Sequence, residues 1–115
     1  MIGIDIVEIA RLARILREKH AQSFIEEVLT YQEAQLLKNL CPENVDSIVS
    51  ELFAAKESVI KASRQSLSLA DFHRINVAYM GTGKFIASVE GGDERFMVST
   101  SILGEQVIAM AVSID

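Results

Sequence analysis

The sequence holds one cysteine, one proline and no tryptophan, and aromatic residues make up only 6% of its 115. The lone thiol, Cys41, excludes an internal disulfide and suits a reducing compartment. No apolar run reaches the roughly 18 residues that a membrane span needs. The opening Ile2-Gly3-Ile4-Asp5 carries no basic leader ahead of an apolar stretch, so it does not read as a signal peptide. Positive charge is also short: 11 basic residues against 16 acidic give a net charge of −5. That argues against a general electrostatic grip on nucleic acid and leaves room only for a local basic face. Together these absences point to a cytoplasmic chain with neither membrane nor nucleic acid as a partner.

What is present is apolar, at 50% of residues, enough for an aliphatic core in one domain spanning 1–115 that buries roughly 65% of its unfolded surface. No repeat or linker divides it. Ile2 to Ile6 alternate with Gly3 and Asp5 as a short strand does. Val7 to Lys19 carry Ile9, Leu12, Ala13 and Leu16 at helical spacing, and a second helical run covers Ser23 to Leu40, with a capping box at Thr30 and Glu33 partway along. Pro42 marks a break, and a third helix spans Asp46 to Gln65. From His73 the period becomes strand-like: 73–79, 84–90, 95–101 and 107–114, joined by turns at 80–83, 91–94 and 103–106. Strand, three helices, then an antiparallel meander make an α+β domain.

The third helix has two apolar faces. Ile48, Leu52, Ala55, Val59 and Ala62 form one stripe. Glu57 and Lys61 lie nearly opposite, flanked by Phe53, Ala54 and Ile60, and a neighbouring subunit is one way to cover that second face.

Several residues invite chemistry. Asp5, in an apolar strand, must be paired, desolvated or bound to a metal, with a helix N-cap or a salt bridge as the plain alternatives. Glu57 and Lys61 have the spacing of an ordinary helical ion pair. Gly81-Thr82-Gly83-Lys84 lacks the spacing of a phosphate-binding loop and reads as a hairpin turn. His20 and His73 have no second ligand at metal-binding spacing, and Cys41 has no nearby base, so all three read as structural or surface residues.

Three segments resemble one family. Gly3-Ile4-Asp5-Ile6-Val7-Glu8-Ile9 is similar to the N-terminal signature of the holo-acyl-carrier-protein synthases, the small trimeric phosphopantetheinyl transferases. Phe53-Ala54-Ala55-Lys56-Glu57-Ser58-Val59-Ile60-Lys61-Ala62 resembles their second signature. Phe24 with Val28-Leu29-Thr30-Tyr31-Gln32-Glu33 resembles the segment between the two, and order, spacing and chain length agree.

The resemblance implies transfer of 4′-phosphopantetheine from coenzyme A to a serine of an apo acyl carrier protein, as in fatty acid biosynthesis, by a homotrimer. It places Mg²⁺ on Asp5 and Glu57, which suits an ion that takes one or two carboxylates plus phosphate oxygens. Glu57, directly or through a bound water, would assist deprotonation of the serine. Lys61 would bind coenzyme A and stabilise or protonate the departing adenosine bisphosphate. Arg11, Arg14 and Arg17, three residues apart on the first helix, suit docking to the acidic helix of a carrier protein, with a solvated face as the alternative.

Two features depart from the family pattern. Ser63-Arg64-Gln65 stands where the family has Gly-Thr-Gly near the coenzyme A phosphates, so the side chain of Arg64 is the candidate phosphate contact there. Ile102 stands where a histidine is expected. A non-catalytic paralogue that binds coenzyme A or a carrier protein, and a purely structural subunit, are therefore the competing readings; retention of Asp5, Glu57 and Lys61 favours the active enzyme.

Overall fold

The computed structural model describes residues 1–114. Five strands form one antiparallel sheet in the order β1-β5-β4-β3-β2: β1 (Ile2–Glu8), β2 (Ile75–Gly81), β3 (Lys84–Val89), β4 (Arg95–Leu103) and β5 (Gln106–Ile114). The N-terminal strand is not separate from the meander. It pairs with the last strand, Asp5 lying opposite Ala109 and Val7 opposite Val107. That pairing carries β1 through Val7 and Glu8, so the first helix, α1 (Ile9–Leu16), is shorter than its periodicity predicts.

The second helical run is two helices, which corrects the count from three to four. Leu29 leaves the α-region (φ −100°, ψ 145°), separating α2 (Ala21–Val28) from α3 (Tyr31–Lys38). The capping box read at Thr30 and Glu33 is therefore a helix start rather than an internal feature: the Glu33 N–H donates to Thr30 Oγ1 at 3.3 Å and the Thr30 N–H to Glu33 Oε1 at 3.0 Å. Pro42 is likewise the first residue of the long helix α4 (Pro42–Ala62) rather than a break ahead of it. Proline fits that position because its missing N–H would have had no helical partner. The helix ends at Ala62, before the expected Gln65, as Ser63 turns extended (ψ 145°). A short 3₁₀ helix, Leu69–Arg74, leads into β2.

The core lies between α4 and the inner face of the sheet, where Leu52, Val59, Val98, Phe96, Ala109 and Ala111 are buried. Small residues let the helix come close. A Cβ on Gly3 would collide with the Ser58 carbonyl oxygen and sit 2.8 Å from the Ala62 nitrogen. Glycine there allows β1 to touch the helix backbone.

On the second face of α4 the chain itself covers Phe53 and Ala54, while Ile60 is partly buried and Lys61 exposed. Phe53 stacks on Phe24, with centroids 6.1 Å apart, and meets the edge of Phe72 at 5.1 Å. Beside it Lys56 is fully buried. Its Nζ lies 2.6 Å from Glu33 Oε1 and donates to the carbonyls of Val28 (2.6 Å) and Phe72 (3.0 Å). Glu33 Oε2 accepts the Val77 N–H at 2.7 Å. One ion pair thus ties α2, α3, α4, the 3₁₀ helix and β2 together. Burial pulls the Lys56 ammonium below its ordinary pKa, against the opposing pull of Glu33.

Candidate active site

Because β1 alternates, Asp5 shares the helix-facing side with Gly3, whose contact with α4 sets the distance between strand and helix. Asp5 stands within the strand, so the N-cap alternative does not hold. Its Oδ1 accepts a hydrogen bond from Lys61 Nζ at 2.9 Å, and the same ammonium donates to the Ile4 carbonyl at 3.1 Å. Asp5 is largely covered while Lys61 is half-exposed, with side-chain exposures of 16% and 52%. The lysine therefore closes over the carboxylate with donor capacity left for a second partner. Its pKa is raised, first by the Asp5 hydrogen bond, with Glu57 adding to the effect.

Glu57, one turn before Lys61 on α4, is half-buried. Burial pushes its carboxyl above the ordinary value, the Asp5 carboxylate pushes it further, and Lys61 and Arg11 oppose. Lys61 takes Asp5 as its ion-pair partner instead of its helical neighbour Glu57. Arg11 completes the group from α1, its guanidinium 5.9 Å from the centroid of the Phe53 ring. Two carboxylates and two cations from three elements thus converge.

No group of three or more His, Cys, Asp or Glu side chains able to hold a metal occurs among the described residues. Two neighbouring carboxylates, one of which raises the other's cost of ionisation, still suit a divalent cation whose other ligands are phosphate and water oxygens.

The other expected residues are more dispersed. Arg17 is paired with Asp46 at 3.1 Å and donates to the Ala13 carbonyl at 2.7 Å. Arg11 and Arg14 are both exposed and neither forms an ion pair among the described residues, although the Arg11 charge is felt by Glu57. Arg64 follows the end of α4, its Nε 3.6 Å from Glu94 Oε2 and its side chain 68% exposed. Ile102 does not line the Asp5–Glu57 group. It borders an open cavity of about 460 Å³ with Ile48, Glu51, Tyr79 and Thr100. Gly81 and Gly83, at φ 148° and 69°, turn the β2–β3 hairpin, and His20, His73 and Cys41 are exposed. Sequence reasoning missed Glu94, whose only local signal is an acidic residue in a glycine turn.

With this sheet, helix and carboxylate pair in place, the chain belongs to the 4′-phosphopantetheinyl transferase superfamily, whose family model matches residues 1–112. Within it, the chain falls in the holo-[acyl-carrier-protein] synthase family. It is 32% identical over 112 residues to the holo-[acyl-carrier-protein] synthase of Geobacillus sp. (strain WCH70), covering 96% of this chain and 92% of that one. Identity to the enzyme of the same name from Chlorobaculum tepidum is 36% over 115 residues, covering 98% and 95%. The crystal structure of a holo-(acyl-carrier-protein) synthase from Bacillus anthracis in complex with CoA (3′,5′-ADP) is similar with a TM-score of 0.79 at 30% identity. That likeness covers 97% of this chain and 93% of the other.

Proposed function

We propose that the chain transfers 4′-phosphopantetheine from coenzyme A to a serine hydroxyl of an apo acyl carrier protein, in the cytoplasm and with Mg²⁺. The observation that carries this reading is the meeting of Asp5, Glu57 and Lys61 from opposite ends of the fold. Asp5 and Glu57 would hold the ion, which when bound offsets charge on the pyrophosphate. Glu57, directly or through a bound water, would accept the serine proton. The serine oxygen then forms a bond to the phosphorus of the phosphopantetheine arm. The bond from that phosphorus to the adenosine bisphosphate oxygen breaks. Lys61, half-exposed and anchored to Asp5, faces the leaving group as a stabilising cation or proton donor. Lys61 and Arg64 supply positive charge for the coenzyme A phosphates.

A homotrimer fits the outer face of the sheet. Ile2, Ile4, Ile6, Met97, Met110 and Val112 are all exposed there, Ile4 directly opposite Met110. So large an apolar surface favours association. The exposed Arg14, with Arg11 and Arg17 beside it, suits long-range steering of an acidic carrier protein. The intact mass of an apo carrier protein after incubation with the chain, coenzyme A and Mg²⁺ tests the reading.

A further inference from the structure

Past the last turn of α4 the chain makes a tight turn whose geometry is set from outside. The Glu94 carboxylate, on the turn between β3 and β4 and only 8% exposed, reaches the residues that follow Ala62. Its Oε2 accepts the Arg64 N–H at 3.0 Å and its Oε1 accepts the Ser63 hydroxyl. The Ser63 oxygen in turn accepts the Gln65 N–H at 3.0 Å. Oε2 also lies 3.6 Å from Arg64 Nε. Burial alone would raise the Glu94 pKa, but the Arg64 N–H, the Ser63 hydroxyl and the Arg64 charge outweigh it and hold the carboxyl below its ordinary range. Ser63 and Arg64 keep negative φ throughout, so the turn needs no glycine.

Glu94 holds the backbone of Arg64 by a hydrogen bond and draws its guanidinium to 3.6 Å at Nε, while the side chain is 68% exposed and its terminal nitrogens make no hydrogen bond among the described residues. A guanidinium placed through its backbone and biased by one carboxylate keeps its terminal donors for bidentate recognition of a phosphate. Lys61 repeats the arrangement three residues earlier, with Asp5 as its carboxylate. The end of α4 thus presents two cations, each oriented by one carboxylate, in a chain whose net charge is −5. We propose that Glu94 is a positioning residue for coenzyme A, acting through Arg64, whose terminal nitrogens bind a phosphate of that substrate. This rests on the reading of the chain as a coenzyme A-dependent transferase.

The test compares Glu94→Ala, Glu94→Gln, Arg64→Ala and the double variant. Coenzyme A affinity is read by calorimetry without carrier protein, and kcat and KM by carrier-protein mass. Losing one charge-assisted contact weakens coenzyme A binding about tenfold, so Glu94→Ala and Arg64→Ala each raise KM for coenzyme A by that factor and leave kcat nearly unchanged. Glu94→Gln keeps an oxygen for the Arg64 N–H and recovers part of the loss. In the Arg64→Ala background Glu94→Ala adds nothing. A wild-type chain that transfers normally while Glu94→Ala binds coenzyme A unchanged overturns the role of Glu94 alone. So does a Glu94→Ala penalty as large without Arg64 as with it, since that marks general loosening. A wild-type chain that binds coenzyme A but transfers nothing overturns the transferase reading, while the binding comparison still decides for or against Glu94. A wild-type chain that neither binds nor transfers overturns both.

Discussion

Lys61 Nζ sits 2.9 Å from Asp5 Oδ1 although 56 residues separate them in the chain, and the Glu57 carboxyl feels both charges. The Lys61 end of the pair is half-exposed and screened by solvent, so the contribution of the pair to stability is small, about 0–1 kcal/mol. Its removal should therefore show in chemistry and hardly in folding. Asp5→Ala is expected to lower carrier-protein modification by about a hundredfold or more, because charge stabilisation at a reacting phosphoryl group is worth several kcal/mol. Circular dichroism and the midpoint of thermal unfolding should stay close to wild type. Near-normal turnover in this variant would remove Asp5 from the site.

Glu57 makes a pH prediction of definite sign. In the metal-free protein, burial and the Asp5 carboxylate hold its pKa above the ordinary 4.5. A carboxyl that binds its proton more tightly when folded stabilises the chain fully below the unfolded pKa, and that contribution is lost as the pH rises through the native value. Asp5→Asn removes the repulsion but not the burial, so the Glu57 midpoint should move down without reaching the ordinary value. Carboxyl ¹³C titration by NMR reads it directly. An unmoved midpoint would mean that the two carboxylates do not sense each other.

The Lys56–Glu33 pair is buried, with side-chain exposures of 0% and 2%. Removing one partner leaves the other charge uncompensated, so Glu33→Gln or Lys56→Met should cost about 3–5 kcal/mol in urea unfolding. Replacing both with apolar residues often recovers such a loss. Here it should not, because the Thr30 and Val77 N–H groups and the Val28 and Phe72 carbonyls would lose their partners. Full recovery in the double variant would show that those groups find other partners.

The outer face of the sheet predicts a separation of assembly from folding. Met110→Lys places a charge opposite the exposed Ile4. By light scattering the chain should become a monomer with its far-UV circular dichroism retained, and its unfolding midpoint should fall only by the stabilisation that association supplied. An unchanged oligomer would put the interface elsewhere.

The class of fold and the Asp5, Glu57 and Lys61 group were legible in the sequence because each rests on a local pattern: a period of two, a period of about 3.6, a motif. What was not legible depends on partners far apart in the chain. The Thr30–Glu33 box was legible but read as internal to one helix, because apolar spacing continues across Leu29; the break is fixed by that box together with the reach of Glu33 to Lys56 and Val77. The second apolar face of α4 looked unfilled because Phe24 and Phe72, which cover it, lie at distances no helical wheel displays. Arg17 looked free until Asp46 was found beside it. Glu94 gave only a weak local signal because its two partners, Ser63 and Arg64, belong to a turn about 30 residues away.

The intact mass of the acceptor decides whether this chain carries out a metal-assisted phosphopantetheinyl transfer. Purified protein, apo acyl carrier protein, coenzyme A and Mg²⁺ should yield a carrier heavier by one phosphopantetheinyl group, with the gain lost when the metal is chelated and restored by adding Mg²⁺ back. A carrier of unchanged mass across several acceptors would contradict the account. A gain indifferent to chelation would contradict the place given to Asp5 and Glu57.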